Sequence, residues 1–276
     1  MFTMKKAIKI ALMYIVVAVI LFTTLFPIYW MVETSLKEPV ETFRIPPKWI
    51  FTPTLENYYQ VLFVSIPFTR YLLNSVFTAT VSTLLALLLG IPCAYSLARF
   101  RVGGPHLPSW ILSTRFLPPF VVVIPFFLMF RDLGLLDTRF ALILPYLTIQ
   151  LPFVVWFMRA FIKELPADVE EAAMIDGCSR VEALRRIVLP LMKPAIAASA
   201  VFCVIFSWNE FLYALILTGM DAKTLPVATL SFITERGIMW GELTAAGTMT
   251  VLPVIVFAFI VQKHMVRGLT YGMLKG

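Results

Sequence analysis

Apolar positions along the 276-residue chain gather into six long runs, at about 10–32, 71–98, 110–130, 140–162, 195–217 and 243–261. About 22 helical residues cover roughly 33 Å at 1.5 Å each, enough to cross a bilayer. The pattern predicts an all-α integral-membrane fold, one domain over 1–276 with about six transmembrane helices. The first run follows Lys5, Lys6 and Lys9. It is too long for the apolar part of a cleaved signal peptide, and no small-residue cleavage site follows it. Polar stretches separate the runs: an outer loop at 33–67, a loop at 163–193 and a second outer loop at 219–241. Prolines punctuate the first, with a short helix expected around 55–62.

Proline also falls inside the runs. Gly90 and Pro92 predict a kink in the second, and Pro145 and Pro152 lie in the fourth. Pro118, Pro119 and Pro125 interrupt the third. In lipid, backbone groups freed by proline must be satisfied by neighbouring protein. That places 110–130 inside a bundle.

Composition agrees: 60% of residues are hydrophobic, 14% are charged and the mean hydropathy is +0.87. A soluble domain is nearer half apolar and a quarter charged. Cys93, Cys178 and Cys203 have neither disulfide nor metal spacing, and His106 and His264 make no cluster. The net charge of +7 raises the question of nucleic acid, but its distribution answers it. Six spans put both termini on one side. Of the 23 Lys and Arg, fourteen fall on that side, eight on the other, and Arg115 inside a run. Cationic loops stay cytoplasmic. Both termini and the 163–193 loop are therefore expected in the cytoplasm, and no nucleic acid partner is implied.

Within that loop, Glu171–Pro190 reads EAAMIDGCSRVEALRRIVLP. Asp168 is expected to cap a first helix with Glu171 as its reciprocal partner, and Ser179 a second with Glu182. Gly177 falls where a helix would end with positive φ. Leu184, Ile187, Val188 and Leu191 make an apolar stripe for the second helix, and Ala172 and Ala173 give the first a small face.

The spacing of Glu171-Ala172-Ala173, Gly177 and Ile187-x-Leu189-Pro190 resembles the coupling loop of ABC importer permeases. Pro46-Pro47-Lys48-Trp49, the run Trp208-Asn209-Glu210-Phe211 and the tail from Gln262 resemble the carbohydrate branch, the tail being similar to that of the smaller permease of the maltose transporter. The resemblance implies a multi-pass permease of a prokaryotic cytoplasmic (inner) membrane that moves a sugar or polyol by alternating access. It implies partners: a cytoplasmic ABC ATPase dimer, a second permease (a distinct chain or a copy), an extracytoplasmic solute-binding protein, and membrane lipid. It also implies that Glu171, Ala172, Ala173, Asp176, Gly177, Ile187, Leu189 and Pro190 contact or shape the ATPase-coupling element. No phosphate-binding Gly-x-x-x-x-Gly-Lys-Ser/Thr loop is present. The chain is therefore expected to bind no cofactor and not to be an enzyme, with ATP and Mg used by the partner.

Ionisable residues inside membrane runs are functional candidates. Glu210, near the middle of the fifth run, has three readings: substrate path, structural pairing, or a helix end reached by water. Arg115 is either its partner or snorkels to the inner interface. Asn74, Gln150 and Asn209 suit interhelical bonding or ligand contact. Trp208 and Tyr213 suit packing or stacking on a sugar ring. These seven form the candidate substrate path. Two rival classes remain: a secondary transporter driven by an ion gradient, and a membrane assembly factor without a solute.

Overall fold

The computed structural model describes residues 2–100, 102–235 and 237–271, with side chains from Ile8 to Phe259 apart from those of Arg101 and Arg236. The helices are α1 Phe2–Ser35, α2 Pro39–Thr42, α3 Glu56–Tyr59, α4 Phe68–Arg99, α5 His106–Ser113, α6 Pro119–Asp132, α7 Phe140–Glu164, α8 Asp168–Ile175, α9 Arg180–Ala183, α10 Leu189–Leu191, α11 Lys193–Trp208, α12 Leu212–Leu217, α13 Leu225–Ala228 and α14 Trp240–Tyr271. Strands β1 Ile233–Thr234 and β2 Gly237–Ile238 pair antiparallel. The side chains of the Gln262–Gly276 tail lie outside the described residues.

Four described helical stretches are long and apolar enough to cross a membrane: Ile8–Ser35, Phe68–Arg99, Phe140–Glu164 and Trp240–Phe259. Counting each of two bent pairs as one span raises the number to as many as six. The third run is not one straight helix. Its halves, His106–Phe116 and Pro119–Asp132, meet at 85°. Pro118 and Pro119 cannot continue α5, but Pro119 suits the first turn of α6, where an N–H would have no partner anyway. The fifth run is also divided. The chain unwinds at Asn209–Phe211 before α12, and the helical stretch that precedes the run, Arg180–Leu191, meets α11 at 78°.

The chain forms two compact units. The first comprises residues 1–68 and 229–252. Here the end of α1 is fixed by the buried Glu33–Lys37 pair at 2.6 Å, with the Lys37 ammonium over the rings of Trp30 and Phe51. The buried Asn57 amide donates to the carbonyls of Ser35 and Lys37 at 2.9 and 2.7 Å. The outer stretch expected as a plain loop holds α13 and, in this unit, the β1–β2 hairpin.

The second unit comprises residues 69–228 and 253–276. One apolar core joins α4, α7 and α11 through Ala86, Tyr95, Val154, Met158, Ile162 and Cys203. Gly90 permits the close approach of α4 to α7, because a Cβ there would lie 2.6 Å from a methyl of Val154. A second core packs Val123, Phe130, Leu142 and Tyr146 against Tyr213, Ala214 and Leu217.

Asp137, between α6 and α7, closes one end of this unit. It adopts a left-handed φ of 57°, a conformation in which Asp is enriched. Its carboxylate accepts the N–H groups of Gly219, Met220, Asp221 and Ala222 at 2.8–3.1 Å. Gly219 is required by this wrapping, since a Cβ would sit 2.7 Å from Asp137 Oδ2. Partial burial pushes the Asp137 carboxyl up, but the four backbone donors outweigh it and hold the carboxyl below its ordinary range.

A depressed carboxyl stabilises the fold above its unfolded pKa, and that stabilisation is lost as pH falls through the folded value. Asp137→Asn should therefore lower thermal stability in detergent at pH 7 by about 1 kcal/mol, a hydrogen-bond magnitude already discounted for solvent screening. The gap to wild type should narrow as pH drops from about 5 toward 3. A gap independent of pH would remove the carboxylate from this role.

Candidate functional site

The 163–193 segment folds as a helical hairpin, α8 and α9, with a wide turn over Leu184–Val188. The expected cap at Asp168 is not formed. Ala167 already has helical angles and occupies the cap position without a side-chain bond. Its carbonyl accepts the N–H groups of Glu170 and Glu171 at 2.9 and 3.0 Å. Asp168 lies inside the first turn, where its charge favours the helix dipole instead. The second cap forms as read: Glu182 N–H donates to Ser179 Oγ at 3.3 Å, and Ser179 N–H donates back to Glu182 Oε2 at 2.9 Å. The Ser179 backbone bond, its hydroxyl and Arg186 hold the Glu182 carboxyl below its usual range.

Gly177 has φ +91°, and Cys178 N–H reaches back to Ala173 O at 3.0 Å, ending α8. A Cβ on Gly177 would meet nothing within 4 Å. The constraint at this turn is thus the sign of φ rather than crowding.

The hairpin has two distinct faces. Glu170, Ala173, Ala183 and Val188 are buried, whereas Glu171, Ala172, Asp176 and Gly177 are exposed. Glu170 and Glu171 take different faces because successive residues turn about 100° around a helix. Ile175 is 86% exposed and Val169 and Val181 are also open. Ile187 and Leu189 are half-buried and Pro190 exposed. Of the expected stripe in the second helix, Leu184, Ile187 and Val188 are buried or half-buried. The wide turn places the buried Val188 five residues after the buried Ala183. Met192 is buried and Leu191 turns out, at 54% exposure.

The intramembrane polar residues do not converge on one site. Glu210 lies in the break between α11 and α12, and its carboxylate accepts the N–H groups of Tyr213 and Ala214 at 2.8 and 3.2 Å. It caps α12, so the span containing it is not continuous. The Arg115–Glu210 pair, one of the two readings of Arg115, is absent among the described residues. Instead the Arg115 guanidinium lies over Phe206 and Phe153, 5.0 and 5.5 Å from the ring centroids. Asn209 bonds its own helix, donating to Ile205 O at 2.9 Å, and bridges nothing in this way.

Gln150 is fully buried on α7. Its amide donates to Ser82 of α4 at 3.1 Å and to Cys203 O of α11 at 3.2 Å, and also to Ser207. Ser82 and Ser207 hydroxyls meet at 3.0 Å. This neutral knot ties three helices. Asn74 is equally committed: its amide donates to the carbonyls of Asp221 and Lys223 at 2.8 and 2.9 Å, and its oxygen accepts from Arg139 at 2.7 Å. Trp208 and Tyr213 are buried, Tyr213 edge-on to Phe126. Among the described residues no cluster of three or more His, Cys, Asp or Glu could hold a metal.

The motif spacing does not single out the two residues that fasten the hairpin, Arg99 at the end of α4 and Glu170 beside Glu171. Arg99 Nε donates to Glu170 Oε1 at 2.7 Å, and Nη2 pairs with the same oxygen as an ion pair at 2.6 Å. The available signal was an acid beside the motif and a cation at the end of an apolar run.

Apolar spans that break and bend, neutral knots between them, and a polar two-faced hairpin define a helical membrane-transport subunit rather than a soluble enzyme. A family model, the inner membrane component of binding-protein-dependent transport systems, matches residues 82–271. The chain belongs to this family, as a permease subunit of an ABC importer. It is 40% identical over 257 residues to a probable ABC transporter permease of Sinorhizobium fredii, covering 93% of this chain and 92% of the relative. It is 37% identical over 256 residues to the trehalose/maltose transport system permease of Thermococcus litoralis, covering 91% and 92%. Among solved structures, a chain of a bacterial ABC transporter involved in import of the acidic polysaccharide alginate matches at TM-score 0.79, with 25% identity over 94% of this chain and 97% of that one. Membership leaves no support for the ion-gradient alternative.

The cap at Glu210 predicts a mutational split. Glu210→Ala should cost about 1–2 kcal/mol of stability, the range for a lost helix cap, read by thermal unfolding in detergent. A variant that keeps its stability but alters only the KM for solute uptake would instead place Glu210 on the solute's route.

Proposed function

We propose that this chain carries a sugar or related polyol inward across a prokaryotic cytoplasmic membrane by alternating access. A cytoplasmic ATPase dimer docks on the exposed face of the α8–α9 hairpin and supplies the energy, binding ATP and Mg itself. Both termini and the hairpin face the cytoplasm, as the Lys and Arg distribution suggests. A second permease completes the pathway, and a solute-binding protein delivers cargo to the outer stretches 33–67 and 219–241.

One observation carries this reading. The hairpin buries Glu170, Ala173 and Val188 in its own unit while presenting Val169, Glu171, Ala172 and Ile175 to the surroundings. An exposed row of small and apolar groups edged by acids, held on rigid short helices, suits docking into a partner's groove. A sugar is favoured because similar permeases are named for trehalose and maltose, and a structural neighbour serves alginate import.

The test is a pull-down of the detergent-solubilised chain from its own host. Wild type should bring down an ABC ATPase. Gly177→Val, strained at φ +91°, should lose it, whereas Gly177→Asn, of a type that tolerates left-handed backbone, should keep it. Failure of wild type to recover any ATPase would refute the docking assignment.

A further inference from the structure

The hairpin is fastened to α4 by one buried cluster. Glu170, 5% exposed, uses both carboxylate oxygens: Oε1 accepts Arg99 Nε and pairs with its Nη2, and Oε2 accepts the Tyr95 hydroxyl at 2.7 Å. Arg99 Nη2 also donates to Leu165 O at 3.0 Å, at the end of α7. One guanidinium therefore joins the end of α4, the end of α7 and the first turn of α8. The second hairpin helix is caught too, as the Arg180 guanidinium stacks on Phe100 at 4.5 Å and Phe100 meets Tyr95 edge-on at 5.8 Å.

The other end of α4 is anchored equally firmly. The Asn74 amide holds the carbonyls of Asp221 and Lys223, and Arg70 pairs with Asp221 at 2.8 Å. Asp137 gathers the neighbouring N–H groups. From Asn74 to Arg99 the helix spans about 38 Å. A single helix thus has a polar joint at each end and the apolar core along its length.

We propose that Tyr95, Arg99 and Glu170 form the joint through which the hairpin moves α4, making α4 a strut between the ATPase-facing hairpin and the loop at 219–223. This rests on the docking assignment above. The chemistry fits a joint better than a stabilising patch. A carboxylate held by two hydrogen bonds and an ion pair is directional, so displacement of α8 must drag α4 or break the cluster. Breaking it strands a buried charge, which is strongly unfavourable. Glu170 and Arg99 are positioning residues: they lie on the buried side, away from the exposed docking face.

The experiment uses the full transporter co-purified with its host ATPase, with Cys93, Cys178 and Cys203 replaced by Ser or Ala and Met220→Cys introduced at the far end of the strut. The readout is the maleimide labelling rate at position 220, with and without MgATP and vanadate. In the parent, trapping should change the rate. In Glu170→Gln that change should shrink about tenfold, within the range for coupled sites, while the ATPase still co-purifies at the parental ratio. Tyr95→Phe, which strands no charge, should give an intermediate loss. Arg99→Lys should recover most of the response that Arg99→Gln loses. A response preserved in Glu170→Gln overturns the joint. So does a response lost only in step with ATPase co-purification, or a parent rate indifferent to nucleotide. Failure of the docking assignment looks different, since the parent would then recover no ATPase at all.

Discussion

Backbone polar groups in an apolar solvent have no water to fall back on, and this chain breaks its helices there repeatedly. Each break must be satisfied from within the protein. The Glu210 carboxylate takes the first free N–H groups of α12. Pro119 and Pro194 stand in the first turns of α6 and α11, where their missing N–H leaves nothing to satisfy. The bend between α5 and α6 is therefore built where a proline leaves no donor stranded.

The same solvent sorts the polar side chains by charge. Neutral groups tie helices in the interior, as Gln150 does with Ser82 and Ser207. Charged groups concentrate at helix ends, where Arg99 meets Glu170 and Arg70 meets Asp221. Arg115 departs from this scheme. It is accommodated by the faces of Phe153 and Phe206, whose quadrupoles attract a cation without a carboxylate.

The hairpin shows how one motif serves two surfaces. Glu170 and Glu171 are neighbours in the chain, yet one is sealed under Arg99 and Tyr95 and the other is open. The wide turn at Leu184–Val188 repeats the division in the second helix, spacing its inward residues five apart. The hairpin is thus fastened on one side and freely presented on the other.

Length and periodicity of the apolar runs determined the helical membrane class, because about twenty apolar residues admit few other structures. Local backbone rules determined the positive φ at Gly177 and the cap at Ser179, since both act over a few residues. The particular side chains of the motif pointed to the family. Everything that depended on distant neighbours was decided by the tertiary structure. Whether 110–130 and 195–217 ran straight, which glutamate of the adjacent pair turned inward, and whether Arg115 found an acid or a pair of rings were not written in local spacing. A wide turn of five residues shifted Leu191 outward, and a periodicity of 3.6 could not foresee it. Long-range partners such as Arg99 with Glu170, or Asp137 with the loop at 219–222, are set by the packing that brings them together. The sequence supplies the groups, and the fold chooses among their possible bonds.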